Sequence, residues 1–169
     1  SGMVDVYKAI GLTFSPSISF NSYSLNMTSG DGDEVLNPGE SAELVVSLIN
    51  EEGWTDAENV NVTLSCNNPL VQISNNSCNY GNISNGVLVD NSENVFSFYT
   101  QDNIELQNLE FNIEVSAVGA DDFNYSNTLS FNIPISLNQA GFPFETDFEV
   151  KSSPIAVDLN GDGEVTASE

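Results

Sequence analysis

The sequence predicts an all-β protein: an antiparallel sandwich of about seven to nine strands with an irregular C-terminal tail. Three observations lead there. From residue 17 to residue 135 apolar and polar residues alternate with a period of two, which sends successive side chains to opposite faces of a sheet. The alternating runs are separated by clusters of Gly, Pro, Asn and Asp, the residues that build tight turns. No segment shows an apolar stripe of helical period. Alternation with one polar face implies two sheets, each covering the apolar face of the other.

Taken in order, residues 1–16 read as a cloning scar, Ser1-Gly2-Met3, followed by a linker or an edge strand. The sandwich is expected over residues 17–135. Its clearest strands are AELVVSL (Ala42, Leu44, Val46 and Leu48 on one face), NVNVTLSC (Val60, Val62, Leu64, Cys66), NLEFNIEVSA (Leu109, Phe111, Ile113, Val115, Ala117) and NTLSFNIPI (Leu129, Phe131, Ile133, Ile135). Shorter candidates are SISFNSYSLNM, LVQIS, GVLVD and NVFSFYT. Turns are expected at Asn37-Pro38-Gly39, Asn67-Asn68-Pro69, Tyr80-Gly81-Asn82 and Gly119-Ala120-Asp121-Asp122. After Ile135 the alternation stops, and residues 136–169 read as a linker with a calcium-loop-like tail, too short for a core of its own.

Charge narrows the function classes. The 169 residues carry 25 Asp plus Glu against two lysines, Lys8 and Lys151, with no Arg and no His, a formal charge of -23. Nucleic acid and anionic membrane surfaces both require basic patches, so both are repelled, and cations are the favoured partners. Without His, triads containing it are impossible within this chain, and the usual neutral-pH base and zinc ligand is missing. A carboxylate-pair mechanism remains open to this composition, but abundant acids are a poor pointer to it. We therefore expect no enzyme. The charge also suits a protein kept hydrated in sea water or high salt. No apolar run approaches the ~20 residues of a membrane-spanning helix.

Cys66 and Cys78 lie in LSCNNPLVQISNNSC, where two strand-like runs flank a turn. That spacing favours a disulfide and an oxidising compartment over two separate core thiols. Sequons at Asn26, Asn61, Asn75, Asn82 and Asn124 decide nothing in so Asn-rich a chain.

Two acidic, glycine-rich twelves carry the chemistry. Calcium loops of this length place acids or amides at positions 1, 3 and 5, glycine at 6, a backbone carbonyl at 7 and a bidentate Glu at 12. Residues 158–169, DLNGDGEVTASE, fill the pattern with Asp158, Asn160, Asp162, Gly163, the Glu164 carbonyl, Thr166 near position 9, and Glu169. Residues 29–40, SGDGDEVLNPGE, fit in part: Ser29, Asp31 and Asp33 at 1, 3 and 5, the Val35 carbonyl at 7, Glu40 at 12, but Glu34 where glycine belongs. The competing readings are a solvated acidic tail and an ordinary acidic turn.

GDGDEVLNPGESAELVVSLIN, with ENVNVTLSC and NYGNI after it, resembles an immunoglobulin-like sandwich module of bacterial secreted and surface proteins that opens on a "D-G-V-L-N-P-G-E" loop. The resemblance covers about residues 17–135. It implies a module appended to large exported peptidases or adhesins. SSPIAVDLNGDGEV resembles the start of an FG-GAP or VCBS-type propeller blade and is also similar to a dockerin calcium loop. On either resemblance Asp158, Asn160 and Asp162 are the implied calcium ligands.

The expectation is a non-catalytic, calcium-stabilised accessory or spacer module of a multidomain extracellular or cell-surface bacterial protein, with neighbouring domains of its own chain as partners. The alternative is a carbohydrate- or protein-binding, adhesin-type module. Sugar binding needs exposed aromatic platforms, and the candidates are Trp54, in the acidic loop NEEGWTDAEN, with Tyr80, Tyr99 and Tyr125.

Overall fold

A computed structural model describes residues 14–30 and 35–137. Among these residues nine strands form: β1 (Ile18–Met27), β2 (Ser41–Asn50), β3 (Ala57–Cys66), β4 (Val71–Asn75), β5 (Ser77–Ile83), β6 (Leu88–Asp90), β7 (Phe96–Thr100), β8 (Asn108–Val118) and β9 (Asn124–Pro134). One sheet has the order β1-β2-β7-β4, with β6 also on β2, and the other β5-β3-β8-β9; every pairing is antiparallel. The neighbour relations β1-β2-β7-β4 and β3-β8-β9 are those of strands A-B-E-D and C-F-G in an immunoglobulin-type sandwich.

The inward residues of the alternation form one core. Leu44, Val46, Leu48, Val60, Val62, Leu64, Phe96, Phe98, Phe111, Ile113 and Ile133 are sealed from solvent. A run of rings crosses it: Phe98 lies 5.1 Å from Phe111, Phe111 5.9 Å from Phe131, and Phe131 stacks on Phe20 at 4.9 Å between centroids.

Two long runs are interrupted, and that raises the strand count. β4 pairs with β7 in one sheet, whereas β5, only one residue later, pairs with β3 in the other. The inward positions change parity at the crossing, from Val71 and Ile73 to Cys78, Tyr80 and Ile83. Residues 71–83 are thus one extended run that changes sheets at Asn76, whose carbonyl already accepts from the Leu64 N–H at 2.8 Å. β6 and β7 lie on the same edge of β2, opposite Ser47–Ile49 and Ser41–Leu44, with residues 91–95 looping out between them.

Local backbone chemistry explains two departures from the sequence pattern. Tyr80-Gly81-Asn82 is no turn: Gly81, at φ 71°, is an irregularity inside β5, opposite Val60. β3 begins earlier than the alternation indicated, because Asn59 at φ 52° is an extra residue that restores inward parity between Ala57 and Val60. The β8–β9 turn does form where expected. Asp121 and Asp122 both hold positive φ, as a type I′ turn requires, and the Phe123 N–H bonds the Ala120 carbonyl at 3.1 Å.

The chain enters and leaves the sandwich at opposite ends. β1 and β9 run side by side in the same direction: Tyr125 bonds the Ile18 backbone, and Pro134 shares a surface depression with Leu25. Ten residue steps along β9 separate the two ends by roughly 33 Å. The N-terminal pole holds Phe14–Ser17 and the β2–β3, β5–β6 and β8–β9 loops. The C-terminal pole holds the β1–β2, β3–β4 and β7–β8 loops and the outgoing residues 135–137.

Candidate functional site

The acidic β1–β2 loop caps the C-terminal pole. Its base is closed by Thr28 N–H to the Ser41 carbonyl at 2.9 Å and by Ser41 N–H to the Ser29 hydroxyl at 2.9 Å. On the returning side Asn37-Pro38-Gly39-Glu40 makes a type II turn. Pro38 supplies the fixed φ, Gly39 sits at φ 84°, and Glu40 N–H reaches the Asn37 carbonyl at 3.4 Å. Thr100 fastens the turn to β7 through its N–H to the Glu40 carbonyl (2.9 Å) and its hydroxyl to the Asn37 carbonyl (3.1 Å). Ser136 N–H bonds the Leu36 carbonyl at 3.0 Å, so the same turn also holds the outgoing chain.

Glu40 is the unusual group, since a carboxylate is only 7 % exposed here. Its Oε2 accepts the Asn37 backbone N–H at 2.8 Å and the Asn37 side-chain amide at 3.4 Å, while the same amide bonds the Val35 carbonyl at 3.0 Å. Gly30, at φ 123°, lies directly against the Glu40 carboxyl, leaving no room for a Cβ. A buried carboxylate is thereby delivered beside the residue that leads into Asp31. That donor suits a hard cation, and the Val35 carbonyl lies on the same turn. Asp31 and Asp33 fall outside the described residues, as do Asp158, Asn160, Asp162, Glu164 and Glu169. Among the described residues no group of three or more His, Cys, Asp or Glu gathers.

The expected disulfide is not formed: Cys66 and Cys78 are both free. The segment between them is not a hairpin, because β4 joins the opposite sheet before β5 returns to β3. In the β3–β5 register Cys78 stands opposite Val62, four residues before Cys66 and so about 13 Å from it along the strand. Disulfides need Cα atoms within about 7 Å. Cys78 instead donates its S–H to the Asn94 carbonyl at 2.6 Å and takes the Asn91 amide at 3.5 Å. Burial pushes both thiols up, partly offset by hydrogen bonds from Asn68 to Cys66 and from Asn91 to Cys78, so neither is an activated nucleophile. We expect two thiols per chain in thiol titration of the unfolded protein, even from oxidising preparations; none would restore the bridge.

The candidate aromatic platforms are mostly engaged. Trp54 is half-buried, and its loop is tied to the β5–β6 loop: Asn85 donates through its side-chain amide to the Trp54 carbonyl, and Asn85 N–H bonds Asp56 at 2.8 Å. Tyr80 is buried and donates its hydroxyl to the Val46 carbonyl at 2.9 Å. Tyr125 accepts the Ile18 N–H at 3.1 Å, and Tyr99 is half-buried on β7.

Pattern reading missed the buried polar residues. Asn50, Asn91 and Thr100 are as enclosed as the core, yet in an Asn- and Ser-rich chain they look like any other surface amide or hydroxyl. The available signal was position: Asn50 ends the most apolar strand, where a polar residue needs a reason. No protein family and no curated protein matches this chain.

Proposed function

We propose that this chain is a non-catalytic, calcium-stabilised spacer or accessory module of a multidomain secreted or cell-surface bacterial protein. The observation that supports the reading is that the described chain enters and leaves the sandwich at opposite poles, roughly 33 Å apart along β9. A module wired that way holds the domains on its two sides apart. The buried Glu40 beneath the acidic loop adds the calcium part, because the same turn fastens the outgoing chain through Leu36 and Ser136. Bound calcium there supplies charge neutralisation and stiffness, at the point where the sandwich meets its continuation. Export rests on the sequence resemblance and the acidic surface, since unbonded cysteines withdraw the disulfide argument. The spacer reading is preferred to a glycan- or protein-binding module because Trp54 is half-buried in a tied loop and Tyr80 and Tyr125 spend their hydroxyls on backbone groups.

The test is calcium-dependent melting. A ligand bound only by the folded state at a hundred times its Kd stabilises by about 2.7 kcal/mol, a shift of roughly 5–10 °C for a domain of this size. The shift should vanish in Asp31→Ala/Asp33→Ala, which sits on the loop tied to β2 and β7, and survive Asp158→Ala/Asp162→Ala. Monovalent salt at matched ionic strength should not reproduce it. An unchanged melting temperature under chelator would reduce the loop to a turn. Loss of the shift in the tail variant alone would move the structural site to residues 158–169.

A further inference from the structure

β9 is an edge strand without the usual protection. Natural edges are blunted by charges, prolines, bulges or short length. β9 runs for eleven residues, NYSNTLSFNIP, with no charged side chain, and it meets β8 without a register shift from Asn124 to Pro134. Its one proline is the last residue. The contrast within the molecule is sharp: the other edge of this sheet, β5, has an irregularity at Gly81, and β4 is five residues long. β1, the neighbouring edge, has a shift between Phe20 and Ser22.

The outward groups of β9 can be identified. Gly119 N–H bonds the Phe123 carbonyl at 2.7 Å and Ile135 N–H bonds the Gln107 carbonyl at 2.8 Å. Antiparallel ladders alternate, so these two bonds fix the odd-numbered residues of β9 as the ones turned toward β8. The N–H and C=O groups of Asn124, Ser126, Thr128, Ser130 and Asn132 therefore point away from β8, and their side chains are all exposed on the outer face. Among the described residues no strand pairs with that edge.

We infer that this edge binds a second copy of the chain, β9 against β9 in antiparallel, two-fold symmetric register centred on Thr128. Two features on the strand select that occupant. First, the outward set reads Asn-Ser-Thr-Ser-Asn from either end. A two-fold at Thr128 places Asn124 opposite Asn132, Ser126 opposite Ser130 and Thr128 opposite itself, so every cross-strand pair on the outer face is a matched polar pair, and each of these pairs exchanges two backbone hydrogen bonds. Second, two copies of a chain of charge -23 can meet closely only where acids are absent. The nearest acid on the central row is Glu114, opposite Thr128 on β8. In the paired sheet it lies three strand spacings, about 14 Å, from its counterpart. That exceeds the screening length of about 8 Å at 0.15 M salt but not the 30 Å at 0.01 M. The product is one continuous eight-stranded sheet with the two spacers side by side.

Sedimentation of the full chain from micromolar to millimolar concentration should show a monomer–dimer equilibrium at 0.15 M NaCl that weakens at least tenfold at 0.01 M. Thr128→Lys and Thr128→Glu each put like charges face to face on the two-fold, and each should weaken self-association at least tenfold without changing the monomer's melting temperature. An equimolar mixture of the two variants should recover a dimer, because opposite charges then meet. As a second readout, amide exchange at Ser126, Thr128 and Ser130 should slow with concentration while that at Asn127 and Leu129 stays constant. A monomer at every concentration overturns the inference, and so does a dimer indifferent to both substitutions. A dimer that appears only after removal of residues 1–13 also overturns it, by assigning the edge to the chain's own N-terminal segment.

Discussion

Asn50→Ala is expected to lower the unfolding free energy by about 4 kcal/mol, read as a shifted urea midpoint with an unchanged slope. Asn50 is fully buried and holds three separate pieces of chain. Its Oδ1 accepts the Ser17 N–H at 3.0 Å, and its amide donates to the Thr55 carbonyl at 2.8 Å and the Ile83 carbonyl at 3.1 Å. Its own backbone takes the Val87 and Gly86 groups of the β5–β6 turn. Each lost bond is worth about 1 kcal/mol net, and each backbone group left buried without a partner adds about 1–3 kcal/mol before any relaxation. Asn50→Asp should be worse still: it keeps the acceptor for Ser17, loses both donors and buries a charge. A loss below about 1 kcal/mol in Asn50→Ala would mean that water reaches this site. The same change should loosen the N-terminal pole selectively, because Ser17, Thr55 and the β5–β6 turn all converge there.

Alternation made most of the sandwich legible because both sheets have one wet and one dry face. β2, β8 and β9 appear in the structure nearly where the period-two pattern puts them. What alternation does not encode is which sheet a strand belongs to. The NVNVTLSC and LVQIS runs, on either side of Asn67-Asn68-Pro69, look like two arms of a hairpin in sequence, and the expected disulfide followed from that picture; they belong to different sheets, and the strand SCNYGNI was missed. The pattern did hold a warning: the change of inward parity between Ile73 and Cys78 is the mark of a run that changes sheets. The acidic loop was legible only as a ligand pattern. The buried position of Glu40 was not, because it depends on Gly30 and on the Asn37 turn folding back from opposite sides of the loop.

The placement of the acids ties these observations together. β1, β4, β5, β7 and β9 carry no charged side chain, while the charges of the sandwich collect in loops and on β2, β3, β6 and β8, where Glu43, Glu58, Asp90, Glu110 and Glu114 lie. Among the described residues, repulsion is thereby greatest in the loops at the poles, where a bound cation would relieve it. The long side of the sandwich is left neutral.

Asn91→Ala is the other substitution expected to be severe, at about 3–4 kcal/mol, because Asn91 stands in for a missing piece of strand. β7 covers β2 as far as Leu44 and β6 resumes at Ser47, so the Val46 peptide faces the gap between them. Asn91 Oδ1 accepts the Val46 N–H at 2.6 Å, and its amide reaches the Leu44 and Asn94 carbonyls at 3.3 Å. Tyr80 completes the patch by donating to the Val46 carbonyl. Burial, followed by the Cys78 and Asp90 charges, pushes the Tyr80 phenol far above its usual range. It is thus a donor throughout the folded range: its stabilisation is full below the unfolded-state value of about 10 and falls as pH rises beyond it. Tyr80→Phe alone should cost about 1–2 kcal/mol. Both side chains serve one peptide, so their losses should not add. Once Asn91 is gone, the 91–95 loop is released and water can reach Val46, and the double variant should be less destabilised than the sum by about 0.5–1 kcal/mol. Strict additivity in urea denaturation would show that the two bonds are independent and that the gap in the sheet is closed by packing instead.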